Sequence, residues 1–227
     1  MFSIKLIDFK PTRKSSNTLI AEEILQFYNK QTSIHADEFI ALSIKQWIIE
    51  HKKTEQQILK LLQLQGVSPK YSCILGFCFE FGIGLQRRNP ASAFQFYQHA
   101  AANNDGFALV QLGKFYRLGR SVPFSRLKAV ELYQKSAALG HPQGALKFSR
   151  YISKPKVIFH YHQKAAEKGL KKAQCEMIKW CLVGETTLRD KHTSLRWLLR
   201  ISRNNYQEEI NLPKFMRMVF KNKKPRG

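Results

Sequence analysis

The chain repeats itself. Leu75-Gly76-Phe77-Cys78-Phe79-Glu80-Phe81-Gly82 returns as Leu112-Gly113-Lys114-Phe115-Tyr116-Arg117-Leu118-Gly119, with the Leu-Gly pair and the closing glycine both displaced by 37 residues. A second block, Ala93-Phe94-Gln95-Phe96-Tyr97-Gln98-His99-Ala100-Ala101, returns as Ala129-Val130-Glu131-Leu132-Tyr133-Gln134-Lys135-Ser136-Ala137. A period in this range belongs to helical-hairpin solenoids, whose units cannot bury their apolar faces alone and must stack. The expected fold is all-α: an α/α solenoid, a right-handed superhelix of helix-turn-helix repeats behind an N-terminal helical segment.

Residue spacing gives the repeat its physical meaning. Ala108, Leu112 and Tyr116 recur at i, i+4, i+8, one stripe of a helix turned toward its neighbours. Ala129 and Tyr133 form the matching stripe of the second helix. Gly113 and Ala137 are small where helix backbones are expected to approach, and Gly119 is placed to close its helix at positive φ. Start signals are equally regular. Ser68-Pro69, Asn89-Pro90, Asp105 and Ser125 open four helices that stop near Gly82, Asn103, Gly119 and Gly140. Upstream, apolar residues at helical spacing predict helices from about Asn17 to Asn29 and up to His51, and Thr54-Glu55-Gln56-Gln57 reads as a capping box for a third.

Two further units are degraded. Tyr161 to Gly169 matches the end of a second helix, but the loop before it has shrunk to Ser153-Lys154-Pro155 and lost the glycine turn. Ala173, Met177, Cys181 and Gly184 then repeat the offsets of Ala108, Leu112, Tyr116 and Gly119. Leu195 to Leu198 supply a last second helix, since terminal repeats are often atypical. The expected organisation is a helical segment at 1–66, a solenoid at 67–204 with two good and two degenerate units, and a basic C-terminal cap and tail at 205–227.

These residues resemble the Sel-one-like repeat, a relative of the tetratricopeptide repeat. The matching positions are Leu75, Gly76, Gly82, Gly84, Ala93, Tyr97, Ala100 and Ala101 in one unit. In the next they are Ala108, Leu112, Gly113, Tyr116, Gly119, Ala129, Tyr133, Ala137 and Gly140. The resemblance covers roughly residues 69–204 and implies a scaffold for protein–protein contacts, of a kind used in signalling or quality control. Residues 1–66 are also similar to the helical lead-in of fungal repeat proteins of this family, in which a kinase domain can come first. The sequence itself carries no Gly-rich loop or Asp-Phe-Gly kinase signature.

Charge narrows the partner more than the chemistry. The net charge is +22, and residues 146–227 hold 20 Lys/Arg against 6 Asp/Glu. A surplus of that size calls for an anionic partner. No apolar run reaches the roughly 18–20 residues of a membrane-spanning helix. Met1 to Asp8 is no secretory signal, because Lys5 and Asp8 interrupt it. Cys73, Cys78, Cys175 and Cys181 lack zinc spacing and read as packed thiols of a cytoplasmic protein, with the C-terminal basic cluster as the route to a nuclear alternative. Gly82-Ile83-Gly84 follows no strand, so it reads as a repeat turn and not a phosphate loop. His160 and His162 sit i, i+2 on a helix and point apart, which disfavours a shared metal.

No catalytic, cofactor or metal-binding residue is assigned, and the expected function is a non-enzymatic scaffold. Its partner surface is placed on the first helix of each unit, at Lys114, Arg117 and Lys179, which fall off the packing stripe and suit an acidic protein segment. Lys214, Arg217, Lys221, Lys223, Lys224 and Arg226 form a candidate anion-binding tail. The alternative is nucleic acid or an anionic surface, bound through the basic C-terminal part.

Overall fold

In the computed structural model, residues 16–34, 37–65 and 68–183 are described, together with Thr193, Arg196, Trp197 and Leu199. Ten helices follow in order: α1 (Ser16–Ile34), α2 (Asp37–Glu50), α3 (Glu55–Leu64), α4 (Pro69–Phe81), α5 (Pro90–Ala102), α6 (Gly106–Leu118), α7 (Arg126–Ala138), α8 (Pro142–Phe148), α9 (Pro155–Glu167) and α10 (Lys171–Val183). A 3₁₀ turn at Ser149–Tyr151 extends α8, and no strand occurs among the described residues. The expected cap and tail at 205–227, with Lys214 to Arg226, lie outside the described residues, as do Gly184, Leu195 and Leu198 of the fourth unit.

Local chemistry sets these boundaries. The side chains of Asn89, Asp105 and Ser125 each accept the backbone N–H three residues on, at 3.0, 2.8 and 3.3 Å. Thr54 and Gln57 exchange both bonds of a capping box. Gly82 and Gly119 close α4 and α6 in the left-handed region, at φ 74° and 64°. Ser68 differs: its hydroxyl caps nothing, while its carbonyl accepts from the Ser72 hydroxyl at 2.9 Å.

Helices pair as α4/α5 and α6/α7, each held by one glycine–tyrosine contact. A Cβ on Gly76 would lie 2.9 Å from the Tyr97 ring, and one on Gly113 only 2.4 Å from the Tyr133 ring. Both tyrosines are fully buried. The third unit, α8/α9, changes both members together. Ser149 stands where Gly113 would, 36 residues on, and His162 replaces the tyrosine. The smaller imidazole leaves room for the serine side chain, and Ser149 Oγ meets His162 Nε2 at 2.8 Å. A degraded sequence thus keeps an intact contact by another chemistry.

The second-helix contact corrects one expectation. Ala137 is only partly buried, whereas its neighbour Ser136 is wholly buried. Ser136 donates to the Gly106 carbonyl at 2.7 Å, and a Cβ on Gly144 would lie 2.2 Å from Ser136 Oγ. The tight place is therefore Ser136 against Gly144. Three of the four thiols, Cys73, Cys78 and Cys181, are buried, and Cys175 is half-buried.

The N-terminal helices do not stand apart. One hydrophobic cluster runs without a break from Ala21 and Ile24 in α1 through Ile44 and Ile58 to Phe77 and Phe115 of the repeats. Tyr28 of α1 packs edge-on against Phe77 of α4 and Phe107 of α6, with centroids 5.5 and 5.9 Å apart. Farther along α1, the Thr32 carbonyl accepts from Gln143 of α8 at 3.1 Å. Helix α1 thus crosses the first helices of three successive units. At the other end of the segment, the Gly84 N–H donates to the Glu55 carboxylate at 3.0 Å. A side chain on Gly84, at φ 75°, would collide with the Glu55 carbonyl, so this turn holds its second glycine to seat α3.

Candidate interaction surface

The face lined by α4, α6 and α8 is where the repeat pattern places a partner, and α1 and α2 cover much of it. Lys114 shows the consequence. It does project off the packing stripe, but it is spoken for within the chain. Its ammonium pairs with Asp37 at the start of α2 and also donates to Gln111 Oε1 at 3.0 Å. Gln111, wholly buried, donates to the other Asp37 oxygen at 3.2 Å. Lys114 is therefore corrected from a partner contact to the clasp that holds α2 on the repeats. Asp37 also sits in the first turn of α2, where a carboxylate opposes the helix dipole favourably.

Beside this clasp lies a cleft of about 210 Å³ between α2, α4 and α6. Its charges are mostly matched internally. Tyr97 donates to Glu80 Oε2 at 2.8 Å, and Arg120 donates to Oε1 at 3.2 Å. Burial raises the Glu80 carboxyl above the usual carboxylate range, opposed by the Tyr97 hydrogen bond and by Lys114 and Arg120. A network so satisfied within itself binds the repeat turn to its own hairpin and has little left for a ligand.

The structure does not bring the three proposed cations together. Arg117 is exposed on α6, one turn beyond Lys114. Lys179 lies on α10 and pairs with Glu176 at 3.0 Å on its own helix. Not expected from the repeat pattern, Lys147 at the end of α8 feels the charges of Lys114 and Arg117 on α6 and of Arg150 in the 3₁₀ turn, which disfavour its own charge. The sequence offered a signal, since Lys147 and Arg150 stand 36 residues after Gln111 and Lys114. It was hidden because the third unit is recognisable only by its second helix.

Two serine–histidine contacts occur, Ser72 with His99 and Ser149 with His162, each at 2.8 Å. Both serines are buried, at 0 and 1% exposure, so neither hydroxyl can meet a substrate in this structure. The Nδ1 atom of His162 has no hydrogen-bond partner among the described residues, so no carboxylate orients the ring as a catalytic base requires. Burial lowers the affinity of His162 for a proton. Among the described residues no three His, Cys, Asp or Glu side chains are placed to hold a metal, and no helix is long and apolar enough to cross a membrane.

Stacked helical hairpins with a charged first-helix face define an α/α repeat solenoid. The repeats are Sel1 repeats: the model of that family matches residues 72–105, 106–141 and 159–170. A Sel1 repeat protein from Oxalobacter formigenes has a similar crystal structure, with a TM-score of 0.62 and 19% identity, covering 86% of this chain and 71% of that one. A protective antigen of uropathogenic Escherichia coli strains with the same kind of fold aligns at a TM-score of 0.48 and 16% identity, over 65% of this chain and 41% of its own length. No curated protein matches the sequence. Sel1 repeats commonly mediate protein binding.

Proposed function

We propose that this protein is a non-enzymatic scaffold for protein–protein contacts, in signalling or protein quality control, and that its partner presents an acidic segment. The observation that carries this reading is the uneven occupation of the first-helix face. Helix α1 crosses α4, α6 and the start of α8 through Tyr28 and Thr32, and Asp37 clasps α2 to α6, while Arg117 and Arg150 remain exposed beyond Lys114. A partner would therefore dock at the part of the face left open beyond these helices, where Arg117 and Arg150 are exposed. The basic surplus of the chain favours an acidic segment and would speed its capture.

Proximity labelling in the native cell, followed by reconstitution with the purified candidate, tests the reading. A directly reconstituted complex weakened by salt and by substitutions on α6 and α8 supports it. A chain that labels no protein but cross-links efficiently to RNA would replace it with the nucleic-acid alternative. That alternative draws on the C-terminal surplus of 20 basic residues against 6 acidic.

A further inference from the structure

The turn between α6 and α7 holds three large apolar side chains in solvent. Leu118, Phe124 and Leu127 are 51, 67 and 71% exposed. The turn itself brings them together. The Ser125 N–H donates to the Tyr116 carbonyl at 2.9 Å, and the Phe124 Cβ lies 3.5 Å from where a Cβ on Gly119 would stand. Around them the chain is purely basic: from Gly106 to Val130 it carries Lys114, Arg117, Arg120, Arg126 and Lys128, and no Asp or Glu. Arg120 donates to Glu80, but Arg117, Arg126 and Lys128 have no ion-pair partner among the described residues. Arg126 and Lys128 lie instead over the Tyr151 and Tyr116 rings, at 5.5 and 5.2 Å.

Hairpin packing does not account for these side chains. The turn of the unit before has the same backbone. Its Ile83 and Asn89 N–H groups donate to the Cys78 and Phe79 carbonyls at 2.9 Å, as those of Arg120 and Ser125 do to Phe115 and Tyr116 at 3.0 and 2.9 Å. Gly84 and Ser121 occupy equivalent left-handed positions, at φ 75° and 58°. Only the side chains differ. Where Leu118 is exposed, Phe81 is half-buried and stacks on Phe77 at 4.4 Å. Arg88 lies over Gly82 as Phe124 lies over Gly119, and Ala91 stands 36 residues before Leu127. In unit three the positions of Phe124 and Leu127, counted from the start of the second helix, hold Ser153 and Lys156. The fold therefore builds this turn without exposed apolar groups elsewhere and carries them here alone.

We propose that Leu118, Phe124 and Leu127 form a docking surface for an acidic amphipathic segment of the partner protein, whose apolar side chains cover the three while its carboxylates meet the cations of the turn. This rests on the scaffold reading and specifies its contact. A single exposed leucine needs no explanation, whereas three apolar groups gathered on one turn mark a surface that a partner covers. Covering them supplies affinity, and the acid-free basic surround selects and steers an acidic segment. Arg117, next to Leu118, joins the patch to the part of the first-helix face that α1 and α2 leave open.

The test is a fluorescence-anisotropy titration of the full-length chain with two labelled peptides of equal length and charge, one with leucine and phenylalanine between its glutamates and one with serine in their place. Three variants accompany it: F124S/L127S at the patch, F124L/L127M as its conservative counterpart, and L42S/I49S, which removes equally exposed apolar groups from α2. The expected result is binding of the leucine–phenylalanine peptide, weakened about tenfold or more by F124S/L127S and by less than about twofold by the other two variants. The serine peptide should bind wild type about tenfold more weakly or worse. Equal affinity for the two peptides would overturn the proposal, since only charge would matter. So would equal losses in F124S/L127S and L42S/I49S, or no binding of the leucine–phenylalanine peptide. Phosphatidylserine–phosphatidylcholine vesicles or a single-stranded RNA probe binding more tightly than that peptide, with the same loss in F124S/L127S, would also overturn it and assign the patch to lipid or nucleic acid. A cellular partner captured and reconstituted equally well by wild type and F124S/L127S would remove this site while leaving the scaffold reading intact.

Discussion

Exchanging one repeat's helix contact for another's gives a sharp test of how the units are held. In unit two a Cβ on Gly113 would stand 2.4 Å from the Tyr133 ring, more than 1 Å inside ordinary carbon–carbon contact. The ring is fully buried and cannot swing away. Gly113→Ser should therefore overpack the hairpin by about 1–3 kcal/mol, offset by about 0.5 kcal/mol of better helix propensity. Tyr133→His alone should cost about 1–3 kcal/mol by leaving a void. The double variant recreates the Ser149–His162 pair of unit three, whose side chains meet at 2.8 Å. It should be less destabilised than the two singles added together, with a coupling of about 1–2 kcal/mol. In a chain of this size that recovers roughly 2–8 °C of melting temperature. Urea and thermal unfolding of the four proteins close the cycle. Additivity within about 0.5 kcal/mol would refute the idea that serine and histidine replaced glycine and tyrosine as a unit.

Three further outcomes are expected. Ser136→Glu should destabilise the chain more than Ala137→Glu, because only Ser136 is fully buried against Gly144, and differential scanning calorimetry of the two will rank them. His141 has both ring nitrogens buried without partners among the described residues and stays neutral down to about pH 4, held there by burial and by Lys168 and Lys114. The unfolded chain protonates this histidine from about pH 6.5, so its contribution is present above that pH and is lost as pH falls toward 4. The loss should reach roughly 3 kcal/mol, and His141→Leu should flatten that limb of urea midpoints measured between pH 7 and 4.5. Asp37→Asn should cost about 1–2 kcal/mol by leaving Lys114 half-buried and unpaired, and adding Lys114→Met should restore part of it. An Asp37→Asn protein that unfolds like wild type in guanidinium would mean that the clasp is idle.

Periodic features were legible in the amino-acid sequence, since they answer to local rules. A 37-residue spacing of Leu-Gly, caps at Asn89, Asp105 and Ser125, and left-handed stops at Gly82 and Gly119 each depend on a few neighbouring residues. They specify helices, hairpins and stacking before any long-range contact is known. Three things were decided only in three dimensions. Ser149 and His162 are unlike the residues they replace, and only their 2.8 Å contact reveals that they answer one another. Lys114 lies off its helix's packing stripe, as an exposed residue would, but Asp37, 77 positions earlier in the chain, arrives to pair with it. The charges of Arg117 and Arg150 act on Lys147 from a neighbouring unit and from the 3₁₀ turn, a relationship masked in the repeat pattern by a shortened α8. Helix propensity and capping act within a turn or two of the chain, whereas charge pairing and ring packing act across whatever the fold makes adjacent. The solenoid could accordingly be read from its period, and its surface could not.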